Sequence, residues 1–157
     1  MEEKYLTYEL SGQTFAISIN CVKEILNGCG RISPVPEFPE YGKGVVNLRG
    51  DIVPIIDMRV RFHQPPLEVT DKACIIVTES NGSVKSEYLG FMVDSVCAVV
   101  DFDTSEISPP PSISGSTGKY IKGVYKADGK IIMIISPEML LTDSMIEAIG
   151  DFMDNNS

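Results

Sequence analysis

Tryptophan is absent from this sequence, histidine occurs once, and aromatic residues occupy only 8% of the 157 positions, so Val, Ile, Leu and Met must build the core. The 43% hydrophobic content is enough for a globular domain and rules out disorder for the main body. Positive charge is scarce: 13 Lys and Arg stand against 22 Asp and Glu, a formal charge of -9. Sequence-independent nucleic-acid affinity comes from clustered cations that displace phosphate counterions, so nucleic acid is not an expected partner. The polybasic segments that anionic membranes attract are missing too. No stretch approaches the ~18 uncharged apolar residues of a spanning helix, and no direct membrane insertion is expected.

Signatures of catalysis and of cofactors are also lacking. The single histidine, His63, lies in Arg61-Phe-His-Gln-Pro-Pro66 and reads as an exposed loop residue. A Cys-His nucleophile would have to use it, and a His-based metal site would lack a second imidazole. No phosphate-cradling glycine loop, H-E-x-x-H or G-x-S-x-G occurs. Cys21, Cys29, Cys74 and Cys97 have no C-x-x-C spacing and read as reduced structural thiols. Asp51, Asp57, Asp71, Asp94, Asp101 and Asp103 stand near strand ends and read as solvated turn carboxylates. The run from Asp101 to Glu106 lacks the central Gly and closing Glu of a hand-type calcium loop. The expectation is a protein that is not an enzyme and carries no cofactor. Its charged start, Met-Glu-Glu-Lys-Tyr, differs from a secretory leader, which makes the cytoplasm the expected compartment.

What is present is mostly strand. Tyr5 to Leu10 and Thr14 to Ile17 flank Ser11-Gly12; Ala73 to Thr78 and Glu87 to Val93 flank Asn81-Gly82. Val45 to Leu48 and Ile52 to Ile56 flank Arg49-Gly50-Asp51, while Val124 to Lys126 and Lys130 to Ile135 flank Ala127-Asp128-Gly129. Helix is expected only locally: after Ser136-Pro137, as N-cap and first helical residue, and over Asp143 to Phe152.

The chain also contains itself twice. Gly44-Val45, Gly50, Ile52, Ile55 and Ile56 recur as Gly123-Val124, Gly129, Ile131, Ile134 and Ile135, each 79 positions on. Ile32-Ser33-Pro34 recurs as Ile107-Ser108-Pro109 at 75, and Ile17, Ile19, Val22 and Ile25 match Phe91, Val93, Val96 and Val99 at 74. The offset grows in Ser112 to Lys119, a Ser/Gly loop where insertions are tolerated. Two units of this size bury too little surface alone and must share a core. The predicted fold is all-β, a pair of small barrels with a groove between them.

Within the repeat, Gly44 to Asp57 carries the candidate site. Arg49 stands at a hairpin tip, where its guanidinium can pair with carboxylates bidentately, and Gly50 supplies the backbone freedom of the turn. The second copy has Asp128 at the Arg49 position, so the duplicated scaffold does not itself require Arg.

Taken together, Tyr5-Leu-Thr-Tyr-Glu-Leu10, Phe15-Ala-Ile17, Val22-Lys-Glu-Ile25, Pro34-Val-Pro36, Lys43-Gly-Val-Val-Asn-Leu-Arg-Gly50, Ile52-Val-Pro-Ile-Ile-Asp57, Val93-Asp-Ser-Val96, Pro109-Pro-Pro111 and Ile131-Ile-Met-Ile-Ile135 resemble the CheW family of bacterial chemotaxis coupling proteins over nearly the whole chain. The resemblance implies two pseudo-symmetric, intertwined five-stranded SH3-like barrels around a shared core, with short helices including one at the C-terminus. It implies one domain over 1–157, with subdomains near 14–72 and 73–140, and the N-terminal strand 4–10 and C-terminal helix packing on the pair. The implied function is a non-catalytic cytoplasmic scaffold joining the signalling tip of chemoreceptors to the regulatory domain of a CheA-type histidine kinase, and associated with membrane-bound receptor arrays through protein contacts. Val22, Glu24, Gly44 and Arg49 match positions implied in partner binding, and Val99 matches one in the second barrel; Gly50, beside Arg49 in the turn, joins them as a candidate partner-binding residue, and Glu24 and Arg49 look able to pair. The sequence departs from the family pattern at Ala98, often acidic there, and at Met58 and Met92, where an aliphatic residue is usual. The rival readings are a CheW-like module of a longer signalling protein and, remotely, a small Cys- or carboxylate-dependent enzyme.

Overall fold

The computed structural model describes residues 1–28, 32–34, 42–61, 72–79, 88–110 and 121–136. Its strands are β1 (Glu2–Leu10), β2 (Gln13–Ser18), β3 (Val22–Asn27), β4 (Gly42–Leu48), β5 (Asp51–Asp57), β6 (Cys74–Glu79), β7 (Tyr88–Val93), β8 (Ser95–Asp103), β9 (Ile121–Ala127) and β10 (Lys130–Ile135), with one helical turn, α1 (Met58–Arg61), after β5. The four hairpins legible in the sequence are all present as antiparallel pairs. β3 and β8, which no sequence pattern had marked, are strands as well. The helices expected after Ser136 and over Asp143 to Phe152, the His63 loop, Cys29, Asn81-Gly82 and Ser112 to Lys119 lie outside the described residues.

The strands form two five-stranded sheets, ordered β8-β1-β2-β10-β9 and β3-β6-β7-β5-β4. The internal repeat maps β1–β5 onto β6–β10, and the two orders then coincide strand for strand. Each sheet combines three strands of one copy with the first hairpin of the other. The hairpin β6–β7 lies between β3 and β5, and β1–β2 lies between β8 and β10. Subdomains were expected near 14–72 and 73–140 with strand 4–10 packing on the pair; in the sheets β1 and β2 lie between β8 and β10, and β6 and β7 lie between β3 and β5. The insertion has a physical cause. Without the borrowed hairpin, β3 and β5 would leave two rows of backbone donors and acceptors unpaired. The junctions β5–β7 and β10–β2 are parallel, as strands joined by no hairpin can be.

Period-2 alternation explains the isoleucine pairs seen in both copies. Ile55 and Ile134 point into the core inside their own sheets, with Val53, Val77 and Met92 in one and with Tyr5, Ala16 and Phe102 in the other. Ile56 and Ile135 point the other way, into a shared core of Leu6, Tyr8, Leu10, Phe15, Ile17 and Ile121 from one sheet and Ile76, Leu89, Phe91, Val93 and Met58 from the other side. Both faces of β5 and β10 are thus buried near their ends, and their sequences read as apolar runs. Beside this core, Arg59 grips Asp94, donating from Nε to Oδ1 at 2.8 Å and from Nη2 to Oδ2, while Asp94 Oδ2 also accepts the Ser11 N–H at 2.9 Å. One half-buried carboxylate thereby ties α1, the β7–β8 link and the β1–β2 turn.

The outer strands of each sheet are drawn together by one bridge. Ser33, beyond β3, exchanges two backbone hydrogen bonds with Val45 on β4 at 2.8 and 3.0 Å; Ser108, beyond β8, does the same with Val124 on β9 at the same distances. The repeated glycine beside each bridge is what allows the approach. A Cβ on Gly44, whose φ is +144°, would collide with the Ser33 carbonyl oxygen, and one on Gly123 would lie 2.7 Å from Ile107 Cγ2.

Gly44→Ala, which meets both the clash and the unfavourable φ, should destabilise by about 2–4 kcal/mol in denaturant titrations. Gly50→Ala, with φ +92° but open space around it, should cost about 1 kcal/mol. Burial, reinforced by a hydrogen bond donated to Glu3, pushes the Tyr5 phenol up to about 12, and burial pushes Tyr8 further. A raised folded-state pKa means stability that is complete below the ordinary value of 10 and is lost as pH climbs through 12. Denaturation midpoints should therefore fall across that window together with tyrosinate absorbance, and the Tyr5→Phe, Tyr8→Phe double variant should flatten the fall.

Candidate partner-binding site

Glu24 and Arg49 meet because a bulge and a turn aim them at each other. β3 pairs Val22 with Thr78 and Glu24 with Val77, which leaves Lys23 as an extra residue bulged out of the ladder. A bulge twists its strand and redirects the side chains around it. Across the sheet opening, Arg49 and Gly50 form the two-residue turn between β4 and β5, both with positive φ, 51° and 92°. The Gly50 N–H donates to Asn47 Oδ1 at 2.9 Å, which fixes the turn. Arg49 Nη2 then donates to Glu24 Oε1 at 2.8 Å.

The ion pair joins β3 to the β4–β5 turn, the Ser33–Val45 bridge joins the segment beyond β3 to β4, and a cleft lies between β3 and β4. The cleft is about 240 Å³ and is lined by Leu26 and Asn27 of β3, Val46 and Leu48 of β4, and Ile75 beneath. The Arg49 side chain is 74% exposed and that of Glu24 only 27%. Glu24 Oε2 is buried without a hydrogen-bond partner, the one such side-chain oxygen or nitrogen among the described residues. An arrangement that leaves a carboxylate oxygen unsatisfied is a poor stabiliser, because desolvation offsets the attraction of the pair.

The other residues singled out in the sequence are placed differently. Val22 is half-buried and packs against the shared core next to the bulge. Gly44 is buried under the Ser33 bridge, so it can act on a partner only through the fold. Val99 is 52% exposed on β8, opposite Leu6 in the other sheet. The structure therefore unites Glu24, Arg49 and Gly50, and sets Val99 on a separate face. Asn47 and Ser33, which support the site, were missed in the sequence; the repeated Ile-Ser-Pro was the available signal for Ser33. Cys97 departs from the structural-thiol expectation, because it is the bulge residue of β8 and is exposed, whereas Cys21 and Cys74 are half-buried. Partial desolvation of the sulfur by its neighbours, and nearby Glu9, push its thiol above the ordinary value, which disfavours the reactive thiolate. Among the described residues no group of three or more His, Cys, Asp or Glu could hold a metal ion, and no helix is long and apolar enough to cross a membrane.

Comparison with known proteins agrees with this architecture. A family profile described as "CheW-like domain" matches residues 4–145. The chain is 31% identical over 151 residues to the chemotaxis protein CheW of Bacillus subtilis, covering 95% of this chain and 94% of that protein. It is 30% identical over 148 residues to a probable chemotaxis protein CheW of Rhizobium etli, covering 94% and 92%. A crystal structure of the scaffolding protein TtCheW from Thermoanaerobacter tengcongensis superposes with a TM-score of 0.78 at 29% identity, covering 91% of this chain and 96% of that one. These matches make the protein a chemotaxis scaffold without catalytic function. On the profile match and on its identity to these relatives, the chain belongs to the CheW-like domain family.

Proposed function

We propose that the protein couples chemoreceptors to a CheA-type histidine kinase, holding the receptor's cytoplasmic signalling tip and the kinase's regulatory domain in one assembly, and that Arg49 with Glu24 is a point of partner recognition. The observation that carries the reading is the backbone of Arg49. A φ of 51° favours Gly, Asn or Asp, and the duplicate turn has Asp128 there at 49°. Arg at such a position is a local cost that the fold does not need, which directs attention to its side chain. Glu24 occupies one guanidinium nitrogen and leaves the fork's other donors facing outward, suited to a carboxylate or carbonyl on a partner. Gly50 shapes the turn, Val22 and the bulge shape the β3 edge, Gly44 acts through the Ser33 bridge, and Val99 offers an apolar contact on the other sheet.

A scaffold of this kind supplies no chemistry. It raises the effective concentration of two partners for each other, so that a change in one biases the other. The working place is the cytoplasm, at membrane-bound receptor arrays reached through protein contacts.

Arg49→Ala should lower affinity for the receptor or the kinase by about tenfold or more, read by titration calorimetry with each purified partner, while shifting stability by no more than about 1 kcal/mol. Unchanged affinity for both partners would overturn the reading.

A further inference from the structure

The two hairpin tips share a backbone and differ in charge. Asp128-Gly129 closes β9 on β10 with φ values of 49° and 77°, against 51° and 92° for Arg49-Gly50. The flanking registers agree: Leu48 faces Asp51 and Asn47 faces Ile52, as Ala127 faces Lys130 and Lys126 faces Ile131. Ile52 and Ile131, at equivalent places past the turns, are both exposed, at 42% and 60%. The neighbouring edge strands agree as well. β8 pairs Val96 with Tyr8 and Ala98 with Thr7, bulging Cys97 out as β3 bulges Lys23, so Ala98 stands where Glu24 stands. A partner surface shaped to one end of this molecule meets nearly the same backbone at the other.

What separates the ends is Glu24 with Arg49 on one and Ala98 with Asp128 on the other. The Asp128 carboxylate is exposed and enters no ion pair among the described residues. The turn needs positive φ, which Asn or Gly would meet equally, so the charge is not demanded by the fold. Specificity is a difference of affinities, and a repulsive group against the wrong arrangement contributes as much as an attractive one in the right arrangement.

We propose that Asp128 is a specificity determinant: at the second tip it repels the carboxylate-bearing partner surface that Arg49 accepts at the first, so this pseudo-symmetric scaffold takes that partner once per chain and in one orientation. The inference rests on the recognition role given to Arg49 above. Like charges brought together at such a contact weaken binding by about tenfold or more.

The test transplants the first tip onto the second with Ala98→Glu and Asp128→Arg, both exposed positions, in the full chain. The probes are the purified receptor cytoplasmic region and the purified kinase, and the readout is stoichiometry by calorimetry and sedimentation. For the partner that Arg49→Ala weakens, the graft is expected to raise binding from one to two per chain, and the graft combined with Arg49→Ala to keep one site at undiminished affinity. A graft that still binds one, with that site weakened about tenfold once Arg49→Ala is added, overturns the inference while leaving the Arg49 reading intact. Arg49→Ala without effect on either partner overturns that reading and this inference with it. Should the graft lose its cooperative thermal transition, Asp128→Asn replaces it: a second, weaker site at saturating partner supports the proposal, and an unchanged stoichiometry overturns it.

Discussion

Everything in this molecule depends on a hairpin that each half lends to the other. Three strands of one copy, β3, β4 and β5, leave two rows of unpaired backbone groups, and β6–β7 from the other copy fills the opening; β1–β2 does the same service for β8, β9 and β10. The exchange makes the shared core unavoidable. The lent hairpins contribute Leu6, Tyr8, Phe15, Ile76, Leu89 and Phe91 to it, so neither half can be completed without burying apolar surface against the other.

The same exchange shapes the candidate site. Ser33 beyond β3 bridges to Val45 on β4, Glu24 on β3 pairs with Arg49 in the β4–β5 turn, and a cleft lies between β3 and β4. The first tie is backbone, made possible by a glycine, and belongs to the fold. The second is a pair of side chains, one of them largely in water, and such pairs contribute about 0–1 kcal/mol. In the proposed role, its worth lies in where it holds a guanidinium.

Duplication gives a scaffold two nearly equal ends, and a scaffold that must orient its partners has to make them unequal. Here the inequality lies in a few side chains on an unchanged backbone: Arg49 against Asp128, Glu24 against Ala98. Charge is suited to this purpose because it discriminates strongly at a contact while perturbing an exposed turn little.

Much of this was legible in the order of residues. Strand and turn chemistry located four hairpins, because period-2 alternation and Gly-containing turns are local properties. The internal repeat marked out Gly44, Gly123 and the paired isoleucines, and the mismatch of Arg49 with Asp128 isolated the candidate side chain. Strands β3 and β8 were not legible, since their half-exposed, bulged edges carry no clean alternation. The repeat did not show the exchange of hairpins, which only the family resemblance implied as intertwined barrels: a repeat shows that two units are alike, and whether a hairpin pairs within its own unit or in the other depends on which open edges the whole chain must satisfy. That choice, with the bridge that explains Gly44 and the bulge that turns Glu24 toward Arg49, was decided by tertiary structure alone, because backbone pairing between strands distant in sequence is settled only when every edge and apolar face is satisfied at once.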